Sequence, residues 1–300
     1  MLAMEAHIPR ALPACFDRRV ARLPDAGVLL VATDLQGNFK DYEALKAIYA
    51  AEKAAGNAPV LAFVGDLVHG PCPEILAPGA WPDHLGTPYH DESARLLLDF
   101  ELFTRAERAF SLLGNHEHAH IGGPVVPKFY PDEAAVLDAA LGPERERMHA
   151  FLRRFPLLAV GPCGVVLTHG APGATEPNLA AFEGLTYAGF AHMRINDMYQ
   201  CAGTLGALLW CRSATSAQAQ ALLRATSLDG KPNAFVAFGH DVVREGWERS
   251  GAGQICVSTS YGLHDRDKVY LRLDLGRRYQ SAHDLRPGQE IRRLYPAGRP

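Results

Sequence analysis

Five short apolar runs in this 300-residue chain end on Gly or Thr and are followed at once by a potential metal ligand. VLLVAT precedes Asp34, VLAFVG precedes Asp66, AFSLLG precedes Asn115, VVLT precedes His169 and AFVAFG precedes His240. Two carboxylates, an amide oxygen and two imidazoles form a mixed oxygen and nitrogen donor set that suits divalent cations. Taken singly, Asp after a strand is a common turn residue and a lone His is more often a satisfied core histidine. The fivefold repetition of one pattern argues for a shared site.

For such distant residues to meet, the elements before them must share an edge. Each run has the length and the β-branched or aromatic content of a buried strand, so each ligand falls at a strand's carboxyl end. In α/β proteins those ends line the crevice where ligands bind. From Val28 the pattern reads strand, turn, helix: VLLVAT, DLQGN, then a helix over roughly 39–55. Asn38 is the expected N-cap, with Asp41 three residues on, and Tyr42, Leu45, Ile48 and Tyr49 recur at helical spacing. A strand at 60–64 repeats the unit. Helices are expected from Asp91 to about Arg108, over 132–141 and 144–154, and around GTLGALLWCRS and SAQAQALLRAT. AFVAF, ICVST and KVYLRLDL give the last part a β character. Residues 71–90 carry five prolines and two glycines and read as a long irregular loop. Residues 1–27 read as a polar lead-in and 28–300 as a single domain.

Composition narrows the classes. An apolar content of 48% supports a full core, while a net charge of −3 and a pI near 6.5 give no footprint for nucleic acid or a membrane surface. The six cysteines are scattered without CxxC pairs, which argues for reduced thiols. Charged residues interrupt the N-terminal segment, so it lacks a signal-peptide core, and the expected location is cytoplasmic.

The ordered set D-L-Q-G-N, G-D-L-V, G-N-H-E, H-G and G-H resembles the calcineurin-like metallophosphoesterase superfamily, and GNHE with the later LLWCRS is most similar to its phosphoprotein-phosphatase branch. The resemblance implies an α/β fold of two mixed β-sheets packed face to face with flanking helices. It implies two divalent metal ions, Mn2+ first and Fe or Zn2+ as alternatives. Asp34, Gln36 and Asp66 would hold one, and Asp66, Asn115, His169 and His240 the other, with Asp66 as the bridge. A metal-activated hydroxide would then hydrolyse a phosphate monoester, one of the slowest uncatalysed reactions. His116 would serve as general acid. Arg212 and Tyr261 would contact the phosphate, with Lys128 and Arg194 as further candidates for that pocket. A phosphorylated protein (Ser/Thr) or a small phosphomonoester is the expected substrate. A phosphodiesterase or dinucleoside polyphosphate hydrolase is the alternative, and a non-catalytic binding protein of the same fold is the competing class.

Three departures from the superfamily pattern stand out. Gln36 occupies a usual His position, His69 replaces the Asp that orients the acid histidine, and the neighbouring phosphate-binding Arg is missing. His69 could assist His116, ligate metal or fill its turn. Glu117 reads as a residue that fixes backbone, His118 and His120 as loop residues, and Trp81, Trp210 and Trp247 as packing residues.

Overall fold

Buried apolar runs alternating with turn-rich segments fold into two sheets. The computed structural model describes residues 15–296. One sheet has five strands in the order β11 (Ile291–Arg293), β10 (Val269–Asp274), β2 (Val28–Ala32), β3 (Val60–Phe63) and β4 (Ala109–Ser111). β2, β3 and β4 run parallel, with Leu30 beside Leu61 and Ala62 beside Phe110, while β10 is antiparallel to β2. The other sheet has six strands in the order β1 (Val20–Arg22), β5 (Leu158–Val160), β6 (Val165–Thr168), β7 (Phe235–Phe238), β9 (Gln254–Val257) and β8 (Trp247–Arg249). β6, β7 and β9 are parallel. Every residue of β2, β3, β6 and β7 is buried, as parallel strands covered on both faces require, which is why they read as unbroken apolar runs.

The two sheets are tied where the motif loops begin. Thr33 Oγ1 donates to Val257 O at 3.0 Å, and Thr33 N donates to Thr259 Oγ1 at 3.0 Å, all in the interior. The carboxyl ends of β2 and β9 are thereby held side by side.

Helices flank the sheets. α1 (Phe39–Ala54) is capped by Asn38, whose side chain accepts from Asp41 N. α2 (Ser93–Ala106) packs against α1 and β4, and also meets the pair α4 (Glu133–Leu141) and α5 (Arg145–Leu152). α3 is the single turn Asn115–His118. α6 (Leu179–Glu183), α7 (Ile195–Cys201) and α8 (Gly203–Trp210) follow, and α9 (Ser216–Ala225) lies on β7. No helix among the described residues is long and apolar enough to cross a membrane.

The lead-in expected over 1–27 is corrected in its second half. β1 pairs in parallel with β5, Val20 beside Leu158, and Val20 and Ala21 are buried. Three residues ending in Arg carry too little pattern to reveal a strand, and here tertiary pairing decides. Residues 1–14 lie outside the described part. β8 and β11, also three residues long, are hidden in the sequence for the same reason. The 71–90 segment is irregular apart from single 3-10 turns at Pro73–Leu76 and Asp83–Leu85. Trp81 closes it by donating to Gly86 O at 2.8 Å and packing edge-on to Tyr89. All six cysteines are free.

Candidate active site

The motif residues leave their strands on strained turns. Asp34, Gln36, Asp66, His69 and His240 all have positive φ, between 43° and 70°. Only three other non-Gly residues among those described do so, Asp17, Ala58 and Asp229. A non-Gly residue held in this region costs about 1–3 kcal/mol, so its concentration here marks a site whose geometry the surrounding fold enforces. The glycines of the motifs have a steric reason. A Cβ on Gly114 would lie 2.2 Å from Asp66 Oδ1, and one on Gly239 would lie 2.5 Å from Asp34 Oδ2. Either would push a carboxylate out of place.

The five ligand candidates converge. His169 Nε2 is 2.9 Å from Asn115 Oδ1, 3.1 Å from His240 Nδ1 and 3.4 Å from Asp66 Oδ1. Asp34 Oδ2 accepts from His240 N at 3.1 Å, so the first carboxylate joins the same cluster. His169 Nδ1 lies 2.8 Å from Val64 O and must donate to that carbonyl. Burial lowers the His169 pKa, so the ring is neutral and its Nε2 is a bare lone pair. An amide oxygen, a carboxylate oxygen and an imidazole nitrogen then face one another with at most one proton, that of His240 Nδ1, among them. His240 Nε2 is buried without a hydrogen-bond partner. Such a cluster is reconciled by a cation, and donors at right angles around an ion with bonds near 2.1 Å are about 3 Å apart. These residues fit a divalent metal.

The carboxylates carry the electrostatic cost of that arrangement. Burial, then the neighbouring Asp66 charge, raises the Asp34 pKa to about 6. Burial raises Asp66 to about 7. Glu117 is pushed to about 7 by burial and by Asp66. It accepts from the backbone N–H groups of Asp66 (2.9 Å), Leu67 (2.7 Å) and Gly114 (3.0 Å), as expected of a residue that fixes backbone.

Beside this cluster, His116 N donates to Asp66 Oδ1 at 3.2 Å and its Nε2 is 3.9 Å from Asp66 Oδ2. Its Nδ1 lies 3.1 Å from Glu133 Oε2 and 2.9 Å from His69 Nδ1. The carboxylate absent at position 69 is thus supplied by Glu133, the first residue of α4. Sequence reasoning missed Glu133, and no local spacing points to it; the only signal is that His116 lacks a carboxylate partner in its own motif. His69 turns out to stand beside His116. His118 is a structural residue, with Nε2 2.7 Å from Tyr187 O.

Gln36 is at the site, but its Oε1 accepts from Lys128 Nζ at 2.6 Å. Lys128 belongs to the loop before α4; its exposed stem lets the ammonium reach inward over the Tyr261 ring, 3.5 Å from the centroid. Tyr261 N donates to Asp34 O at 3.0 Å. Arg212 lies at the mouth, donating to His240 O at 3.1 Å and to Asp241 Oδ1 at 2.8 Å. Arg194 is not gathered in with them. It pairs with Asp197 at 3.0 Å on an exposed surface, because α7 begins next to it and offers the nearer carboxylate.

Known structures share this architecture. A protein serine/threonine phosphatase from Saccharomyces cerevisiae, described as similar to human phosphatase PP5, superposes with a TM-score of 0.52 at 14% identity, over 87% of this chain and 80% of its own. A cold-active protein-tyrosine phosphatase of a psychrophilic Shewanella species gives 0.55 at 15% identity, over 90% of this chain and 80% of its own. At such identities the likeness is one of fold. No curated protein matches by sequence. The calcineurin-like phosphoesterase profile matches residues 27–244, a span that includes all five ligand motifs, and the chain therefore belongs to the calcineurin-like phosphoesterase family.

Proposed function

We propose that this phosphoesterase hydrolyses phosphate monoesters, with phosphoserine or phosphothreonine in proteins as the leading substrate class. Asn115, His169, His240 and Asp66 would hold one divalent ion, with Asp34 and Asp66 toward a second. Bound there, the ions would supply Lewis acidity and an activated water for attack on phosphorus. The observation that carries the reading is the lone-pair cluster around His169 Nε2 with the buried His116 ring beside it. Lys128 and Arg212 bring two positive charges to the same place from separate loops, which matches a monoester dianion better than a diester monoanion. Turnover of an aryl phosphate and of its bis-aryl diester, each with Mn2+ and with chelator, tests the proposal. Faster diester turnover would favour the phosphodiesterase alternative.

His116 donates a proton to the departing oxygen. Burial lowers its pKa to about 3, so the resting ring is neutral, and the charge of an incoming dianion together with Glu133 favours its protonated form. His116→Ala should lower kcat about 10²–10⁴-fold for alkyl leaving groups, which need that proton, and far less for nitrophenolate. A loss independent of leaving-group pKa, measured over a series of esters, would remove the role.

Lys128 stands in for the missing arginine by contacting the phosphate. Lys128→Met should raise KM and weaken inhibition by inorganic phosphate, each roughly tenfold, as expected for one charge-assisted hydrogen bond. Unchanged phosphate inhibition would take Lys128 out of the pocket. The engagement of Gln36 by Lys128 also favours the competing non-catalytic reading, since it occupies one expected ligand. Less than half an ion per chain after Mn2+ loading, with no turnover, would select it.

A further inference from the structure

A line of imidazoles runs away from the site behind His116. His69 Nδ1 faces His116 Nδ1 at 2.9 Å, and His69 Nε2 faces His120 Nε2 at 2.9 Å. His120 Nδ1 then meets Asp138 Oδ1 at 3.0 Å, and the same oxygen lies 2.8 Å from His149 Nε2. The side chains of His69, His116 and His120 are at most 4% exposed, whereas Asp138 is 23% exposed. Asp138 comes from α4 and His149 from α5, so the line ends between two helices at the protein's edge.

Proton placement along this line is constrained from its outer end. A carboxylate only accepts, so His120 Nδ1 must carry a proton. In the neutral His120 ring Nε2 is then bare, and His69 Nε2 must donate to it. With one proton on its ring, held at Nε2, His69 presents a bare Nδ1 to His116 Nδ1, which must therefore bear the proton. Glu133 does not make this choice, because its Oε2 lies 3.1 Å from His116 Nδ1 and 3.4 Å from His69 Nδ1 but is buried without a hydrogen bond to either. Asp138, by setting His120, decides which of the two rings donates.

We propose that Asp138 is a positioning residue which, through His120 and His69, fixes His116 in the tautomer with Nδ1 protonated and Nε2 free on the Asp66 side. Its value for catalysis rests on the proton-donor reading of His116 given above; the tautomer itself does not. In this state Nε2 is the nitrogen open to the proton that His116 takes up from solvent as the dianion binds and then delivers to the leaving oxygen, and the ring cannot flip its tautomer without reversing every proton in the line.

The test is nitrogen NMR of 15N-histidine-labelled, Zn2+-loaded protein, with kinetics measured in Mn2+. The wild type should show single tautomers, with protons on His116 Nδ1, His69 Nε2 and His120 Nδ1. His116 with a bare Nδ1 would mean that a cationic His69 is the donor, and would overturn the proposal without need of any variant. Asp138→Ala should give mixed tautomers at His116, and kcat for an alkyl phosphate lower by roughly 10- to 100-fold at unchanged KM. His149→Ala breaks the same tie between α4 and α5 but leaves His120 its acceptor, so it should leave the His116 signals as in wild type. If His149→Ala reproduces the Asp138→Ala spectrum, the helix tie is the cause and the proposal falls. The predicted tautomers in a protein that shows no turnover would support the positioning and strike the proton-donor role instead.

Discussion

Asp66→Asn is expected to lower kcat for an aryl phosphate monoester by at least about a thousandfold, about 4 kcal/mol of barrier, while the protein stays folded. The carboxylate sits where the donors meet, with Oδ1 3.4 Å from His169 Nε2 and accepting from His116 N at 3.2 Å. An amide of the same shape removes the charge that both ions would share. It also turns an N–H donor toward one side of a cluster built from acceptors. Folding should tolerate the change, because burial already disfavours the Asp66 charge and raises its pKa to about 7. Steady-state kinetics, elemental analysis and melting in chelator together check the expectation: lost turnover, fewer ions per chain, and a metal-free melting temperature no lower than that of wild type. Turnover within tenfold of wild type would rule out Asp66 as the shared ligand.

What could be read in advance follows from how each residue is positioned. Asp34, Asp66, Asn115, His169 and His240 are legible because each lies within a few residues of a fully buried strand's end, so strand periodicity and topology alone bring them to one edge. Asn38 and its helix are legible for a local reason, since an N-cap bond spans only three residues. Glu133, Asp138 and His149 are not legible in this way. They sit on α4 and α5, whose docking against α2 is set by side-chain packing rather than by any motif. His120 could be seen but not interpreted, because its two partners, His69 and Asp138, are 51 and 18 residues away in opposite directions. Lys128 is legible as a candidate for the phosphate pocket, but its arrival at Gln36 depends on a rim that composition does not describe. β1 is the reverse case, a strand without a pattern, since three residues can pair in register with β5 without showing an alternation.

Chelation should abolish turnover, by more than about a thousandfold, and should remove a metal-derived stability whose pH dependence can be worked out. In the chelated protein, Asp34 (about 6), Asp66 (about 7) and Glu117 (about 7) have pKa values raised by burial. The unfolded chain gives up these protons near pH 4, before the folded protein does, so their contribution to stability falls as pH rises from about 4 to 7. His116 (about 3), His118 (about 4), His120, His169 and His240 are shifted down by burial. The unfolded chain takes up those protons as pH falls through about 6.5 while the folded protein resists them, so their contribution rises with pH and levels off only about one unit above that point. The two sets therefore oppose each other up to about pH 7.5. Chelated protein should melt within about 1 °C at pH 6.5 and at pH 7.5. Bound Mn2+ favours ionised carboxylates and neutral imidazoles, so the melting temperature it adds should be larger at pH 7.5 than at pH 6.5. Calorimetry at both pH values, with chelator and with Mn2+, reads the effect directly. A Mn2+-induced rise in melting temperature no larger at pH 7.5 than at pH 6.5 would show that these groups do not ligate the ion, and turnover surviving in chelator would end the case for metal-dependent hydrolysis.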